Sequence, residues 1–142
     1  MTRAANPARA AFQFRLDPHS GVPVYRQITD QVQGGIATGV LATGDQLPTV
    51  RQVAVDLAIN PNTVLRAYRE LEIRGVLATQ QGTGTFVSSR KVKHDEAQRE
   101  RSLDQLAGEC ASRAGVAGFT LEELVEALRE RLPESERERR RS

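Results

Sequence analysis

The chain has 142 residues and a mass of 15.6 kDa, room for one compact domain or a small domain with an appendage, which excludes a large multi-domain enzyme. Apolar residues at 39% and charged residues at 27% mark a globular chain, and four Phe, two Tyr and no Trp imply an aliphatic core rather than an aromatic base-stacking platform. Net charge is +2, with the slight positive excess in residues 1–90, and no stretch approaches the ~20 apolar residues of a membrane span. The basic start lacks the apolar run of a signal peptide, and the single Cys110 can form no internal disulfide. The cytoplasm is therefore the expected compartment, with no membrane partner.

Residues 1–15 carry Arg3, Arg9 and Arg15 without an acid and read as a flexible N-terminal arm. From Val24 the apolar positions Tyr25, Ile28, Val32 and Ile36 recur at helical spacing, with Gly34-Gly35 weakening the end of that helix. Thr49-Val50-Arg51-Gln52 has the form of a capping box, and Val50, Val53, Ala54 and Leu57 then give a short amphipathic helix. After a tight turn Asn60 caps a third helix, Pro61 suits its first turn, and Val64, Ala67, Tyr68 and Leu71 form its buried stripe up to Gly75. The period then changes to that of strands. Val76–Thr79 and Thr85–Val87 are short strand-like runs joined by the Gly-containing loop 80–84, a hairpin.

Beyond a polar hinge at 88–91, a charged helix places Leu103, Leu106, Ala107, Cys110 and Ala114 on one face until Gly115 and Gly118 break it. A last helix starts at the capping box Thr120/Glu123 and carries Leu121, Leu124, Val125, Leu128 and Leu132. Pro133 and the charged run to Ser142 read as a solvated or frayed end. Two apolar stripes of this kind would be exposed in a monomer, so Leu103, Leu106, Cys110, Leu121, Leu124, Val125, Leu128 and Leu132 are the expected dimerisation residues. The fold class is mainly α with a small β-hairpin. Its expected parts are the flexible arm 1–15, a three-helix and hairpin domain 16–88, a helical dimerisation tail 89–133 and a charged flexible end 134–142.

If Val64, Tyr68 and Leu71 face inward, Asn62, Arg66 and Arg69 share the opposite face of the third helix, the way a helix presents amides and guanidiniums to a groove. Helix, tight turn and a second helix with an Arg-bearing outer face form a helix-turn-helix pattern, which by itself leaves DNA binding and protein interaction both open. Residues 44–87 resemble the winged helix-turn-helix of GntR-family transcriptional regulators. The resemblance is carried by Gly44, Leu47-Pro48, Arg51, Thr63-Val64, Tyr68, Leu71, Gly75 and Gly82-Thr83-Gly84-Thr85-Phe86-Val87. With Pro23–Ile28, which is similar to the family's first helix, it covers roughly residues 20–88. The stretch after Ser88 is too short for the larger branches' effector domains, and the two-helix tail is similar to the YtrA-like branch.

The resemblance implies a sequence-specific regulator of transcription, in outcome a repressor, binding an inverted-repeat operator in double-stranded DNA as a homodimer. It implies that Arg51 meets the DNA backbone, that the Thr63 hydroxyl donates to a phosphate, that Asn62 sits at a base-reading position and that Gly82 lies in a wing near the minor groove. Asn60, Gln81 and Thr83 stand beside these positions and complete, with Arg66 and Arg69, the expected DNA-contact set. Pro61 and Leu65 depart from the pattern, since many members carry Arg there, and either Arg66 or Arg69 is left to reach a base edge.

Each feature also has a plainer reading. Arg51 would pair with Asp56 or Glu70, Asn62 would only cap, Gly82 and Gly84 would only turn the hairpin, and Tyr25, Tyr68 and Phe86 would be core. A winged-helix protein-interaction module, with Arg66 and Arg69 meeting an acidic partner, is the alternative function. No catalytic set is legible: the loop 82–85 lacks the Lys of a phosphate-binding loop, and His19 and His94 have no companion ligands for a metal or a nucleophile. No cofactor is expected. An unidentified small-molecule effector is a candidate partner, although no convergent polar set argues for one.

Overall fold

The predicted order of three helices, hairpin and helical tail is present in a computed structural model that describes residues 12–89 and 95–141. The chain divides into two units, 1–90 and 91–142. The first contains α1 (Val24–Thr38), α2 (Val50–Leu57), α3 (Pro61–Ile73), β1 (Leu77–Gln80) and β2 (Gly84–Val87). The second contains α4 (Glu96–Val116), α5 (Leu121–Arg129) and α6 (Glu134–Arg141). Among the described residues no helix is long and apolar enough to cross a membrane.

Local signals set the starts of the helices. The Thr49 hydroxyl accepts from the Gln52 amide at 3.1 Å while the Gln52 side chain accepts from the Thr49 amide at 3.1 Å, the predicted capping box. Asn60 Oδ1 accepts from the Asn62 amide at 2.8 Å, and Pro61 takes the first turn of α3. Ala58, Ile59 and Asn60 form the turn between α2 and α3, and Ala58 enters it at φ 54°, a left-handed conformation that a side chain adopts at a cost. α1 runs unbroken through Gly34-Gly35 to Gly39. Gly35 is buried where a Cβ would lie 3.1 Å from both Leu41 and Phe12, so the missing side chain admits those two residues rather than ending the helix.

One core joins the elements of the first unit. Ile28 and Val32 of α1, Val53 of α2, Val64, Tyr68 and Leu71 of α3, and Leu77 and Val87 of the hairpin are buried in it together. Each such side chain contributes about 1.5–3 kcal/mol through removal from water. The hydroxyl of Tyr68 donates to the Pro48 carbonyl at 2.7 Å, which ties α3 to the loop entering α2, and burial pushes its phenol pKa well above the ordinary value.

Residues 12–15, expected in the flexible arm, belong to this unit. Phe14 is buried, Phe12 meets it edge-on at 5.0 Å, and the Gln31 amide pairs with both backbone groups of Arg15, accepting at 2.9 Å and donating at 2.7 Å. Two alternating aromatics flanking a chain that finds amide partners outweigh the basic composition. The arm's Arg3 and Arg9 lie outside the described residues.

The antiparallel hairpin pairs Leu77 with Val87 and Gln80 with Gly84, leaving a three-residue tip, Gln81–Thr83, one residue shorter at each end than the predicted loop. A third edge joins the sheet. Gln46 bridges to Phe86, and the Leu47 amide donates to the Thr85 carbonyl at 2.8 Å. Gly84 sits at φ 136°, a conformation that strains any residue with a side chain, and a Cβ there would lie 2.5 Å from Gln46 Nε2 and displace that amide.

In the second unit α4 continues through Gly115 to Val116, and Gly118, at φ 85°, is the residue that turns the chain. Thr120 and Glu123 cap α5 reciprocally, as predicted. The segment expected to be a frayed end instead forms α6. Its acids Glu134 and Glu136 stand in the first turn and Arg139, Arg140 and Arg141 in the last, an arrangement that complements the helix dipole. Arg137 further ties this helix back, donating through Nε to the Leu132 carbonyl at 2.6 Å and through a terminal nitrogen to the Glu130 carbonyl.

Candidate nucleic-acid interface

The outer face of α3 forms an open groove wall made by Asn62, Leu65, Arg66, Arg69, Glu70 and Ile73. Because Val64, Ala67, Tyr68 and Leu71 are all buried, helical geometry forces Asn62, Arg66 and Arg69 outward together. Asn60 supplies the cap through its Oδ1, so the plainer reading of Asn62 as a cap does not hold and its side-chain amide remains exposed. Thr63 is half-buried beside it.

Charge on this helix is distributed unevenly. Glu70 pairs with Arg74 at 3.0 Å, and Glu72 accepts from the Thr79 hydroxyl on β1, so both acids are engaged toward the C-terminal end. Arg51 is exposed in the first turn of α2, and neither it nor Arg69 makes an ion pair among the described residues; pairing of Arg51 with Asp56 or Glu70 is not found. Arg66 has a different partner: its guanidinium carbon lies 3.8 Å from the centre of the Tyr25 ring. Tyr25, read from periodicity as core, is half-buried, with one part packed on the core and its face given to Arg66. That contact was missed because periodicity assigns residues to a face of one helix, not to a partner on another.

The hairpin tip projects the remaining expected residues. Gln81, Gly82 and Thr83 are exposed, Gly82 turns at φ 76°, and nothing lies within 4 Å of where its Cβ would be. Gln46 Nε2 donates to the Thr83 carbonyl at 3.1 Å, which steadies the tip from the third edge.

In the second unit, Leu103, Leu106, Leu121 and Leu128 are all more than half exposed, at 64%, 55%, 59% and 52%. Cys110, Leu124, Val125 and Leu132 are half-buried, and α4 packs on α5. Val116 and Phe119, exposed at 92% and 60%, extend the same apolar character beyond the predicted set; Val116 ends α4 past Gly115, the predicted break in that helix, and Phe119 lies in the connection to α5.

A sequence model for bacterial regulatory proteins of the gntR family matches residues 24–87, the span from α1 to the end of β2. The HTH-type transcriptional repressor YtrA of Bacillus subtilis is 38% identical over 117 residues, 82% of this chain and 89% of that protein. Among solved structures, YtrA from Sulfolobus acidocaldarius, a GntR-family transcription factor, aligns at a TM-score of 0.51 with 32% identity, covering 66% of this chain and 95% of that one. A transcriptional antiterminator from Listeria monocytogenes aligns at 0.62 with 28% identity, covering 85% and 90%.

Proposed function

The chain belongs to the GntR family of bacterial regulatory proteins, in its YtrA-like branch, as a non-enzymatic DNA-binding regulator of transcription, and on that premise we propose that it is a homodimeric repressor of an inverted-repeat operator. The observation that carries the reading is the outer face of α3, where Asn62, Arg66 and Arg69 stand together and, among the described residues, no acid pairs with either arginine. Each protomer lays α3 in a major groove, with Asn60 and Thr63 at its entry, Arg51 of α2 against the backbone and the tip Gln81–Thr83 along the adjacent minor groove. Phosphate contacts set register, and base edges set specificity.

The open leucines of α4 and α5 supply the dimer contact, with Cys110, Leu124, Val125 and Leu132 behind them. Two-fold symmetry then places half-site centres about one helical turn apart, ~10 bp. Occlusion of a promoter is the mode of repression, and the cytoplasm, where the operator lies, is the compartment.

Footprinting of the purified protein on DNA upstream of its own gene, at two salt concentrations, tests this. The expected result is a protected inverted repeat whose protection weakens steeply with salt. Failure to protect there, together with failure to select any sequence from random duplexes, would refute the assignment.

A further inference from the structure

Arg66 and Arg69 share the exposed face of α3, and both have the reach and the donors to read a base. The structure separates them. The Arg66 guanidinium is stacked over the Tyr25 ring at 3.8 Å, whereas Arg69 has no such partner among the described residues. Glu70, which stands at i+4 from Arg66 and would ordinarily draw it along the helix, is bonded to Arg74 instead. Tyr25 is a firm platform: it lies in the first turn of α1, packs against the core, and is followed at once by the buried Ile28 and Thr29.

A guanidinium on an aromatic face is held without losing donors, because its N–H groups point outward in the plane of the group. Stacking therefore restricts where Arg66 reaches, not whether it can bond. α1 packs against α3, so the contact with Tyr25 draws the Arg66 guanidinium toward α1, whereas Arg69 is under no such pull. In a major groove the flank of a helix faces the sugar-phosphate wall, and its crest faces the base edges.

We infer that Tyr25 is a positioning residue for DNA recognition, holding Arg66 as a phosphate clamp and leaving base reading to Asn62 and Arg69. This deepens the proposed function and rests on it.

The test measures affinity for an operator selected from random duplexes, its salt dependence and its base preferences, using the full chain and the variants Tyr25→Phe, Tyr25→Leu, Arg66→Gln and the double Tyr25→Leu/Arg66→Gln. Tyr25→Phe keeps the aromatic face and should match the parent. Tyr25→Leu should weaken binding about two- to five-fold. Arg66→Gln should lower the salt slope by about 1 without altering the preferred half-site. The double variant should bind like Arg66→Gln alone, since Tyr25 acts only through Arg66.

Independent losses that multiply in the double variant, a Tyr25→Phe as weak as Tyr25→Leu, or a changed base preference in Arg66→Gln would each overturn the inference. If Tyr25→Leu does not fold, Tyr25→Met, which keeps apolar bulk without an aromatic face, carries the same expectations. A parent chain that selects no duplex overturns the DNA-binding assignment itself, whereas a parent that binds with Tyr25 and Arg66 uncoupled overturns this inference alone.

Discussion

Alkaline pH gives a sharp test of how α3 is seated, through Tyr68. Its ring is 2% exposed and its hydroxyl donates to Pro48 across the entry to α2, with the phenol pKa raised by burial. Above pH ~10, the ordinary value for tyrosine, the unfolded chain loses this proton while the native chain keeps it. The native state then binds one more proton than the unfolded state, and stability falls by about 1.4 kcal/mol per pH unit. The contribution is complete below pH ~10 and is lost as pH rises toward the native pKa. Tyr68→Phe removes both the hydrogen bond and the titration. At pH 7 it should cost about 1 kcal/mol, the net worth of an intramolecular hydrogen bond. For a unit of this size that is a fall in Tm of about 4–8 °C. By pH 11 the parent alone has lost about 1.4 kcal/mol, so the two should become equally stable or exchange order. Urea midpoints at pH 7, 10 and 11, followed by tyrosine absorbance, report only the unit that holds Tyr25 and Tyr68. A difference between parent and variant that stays constant from pH 7 to 11 would refute the reasoning.

Arg51→Ala should weaken operator binding and reduce its salt slope by about 1, as expected for one neutralised phosphate; an unchanged slope removes Arg51 from the contact set. Ala58→Gly relieves a left-handed alanine, worth about 1–2 kcal/mol, against about 0.5–1 kcal/mol of added unfolded-state entropy. Calorimetry should show Tm higher by about 2–6 °C with operator affinity retained, and a lower Tm would mean that the turn carries no strain. Leu106→Glu with Leu128→Glu, both at exposed positions, should yield a monomer in light scattering at unchanged helicity; a surviving dimer places the interface elsewhere.

Features encoded within a few residues were legible in the sequence. The boxes Thr49/Gln52 and Thr120/Glu123 and the Asn60-Pro61 start each involve neighbours on the chain, and all three helices begin there. α6 was also locally encoded, by acids before arginines, but high charge density reads as solvation unless the order of the charges is weighed. Contacts between distant residues were not legible. The sheet edge at Gln46 depends on Phe86, and the Arg66 platform depends on Tyr25, both pairings of residues remote in sequence. The outward direction of Asn62, Arg66 and Arg69 was legible because the buried stripe of α3 dictates it, whereas the Tyr25 partner of Arg66 was not.

The placement of the acids explains how a chain of net charge +2 carries a cationic face on α3. Of the two acids on α3, Glu70 is held by Arg74 and Glu72 by Thr79, both at the helix end that leads into the hairpin. The outer face therefore displays Asn62, Arg66 and Arg69 beside a Glu70 whose charge Arg74 already answers, and Arg51 of α2 adds a cation that makes no ion pair among the described residues. Most other acids lie in the second unit, interleaved with arginines on α4, α5 and α6. Net charge averages over both units and hides the contrast. Affinity for a polyanion is set by the phosphates that particular side chains neutralise, so the salt slope should follow the count of unpaired arginines on α2 and α3 and remain unmoved by charge changes in α6.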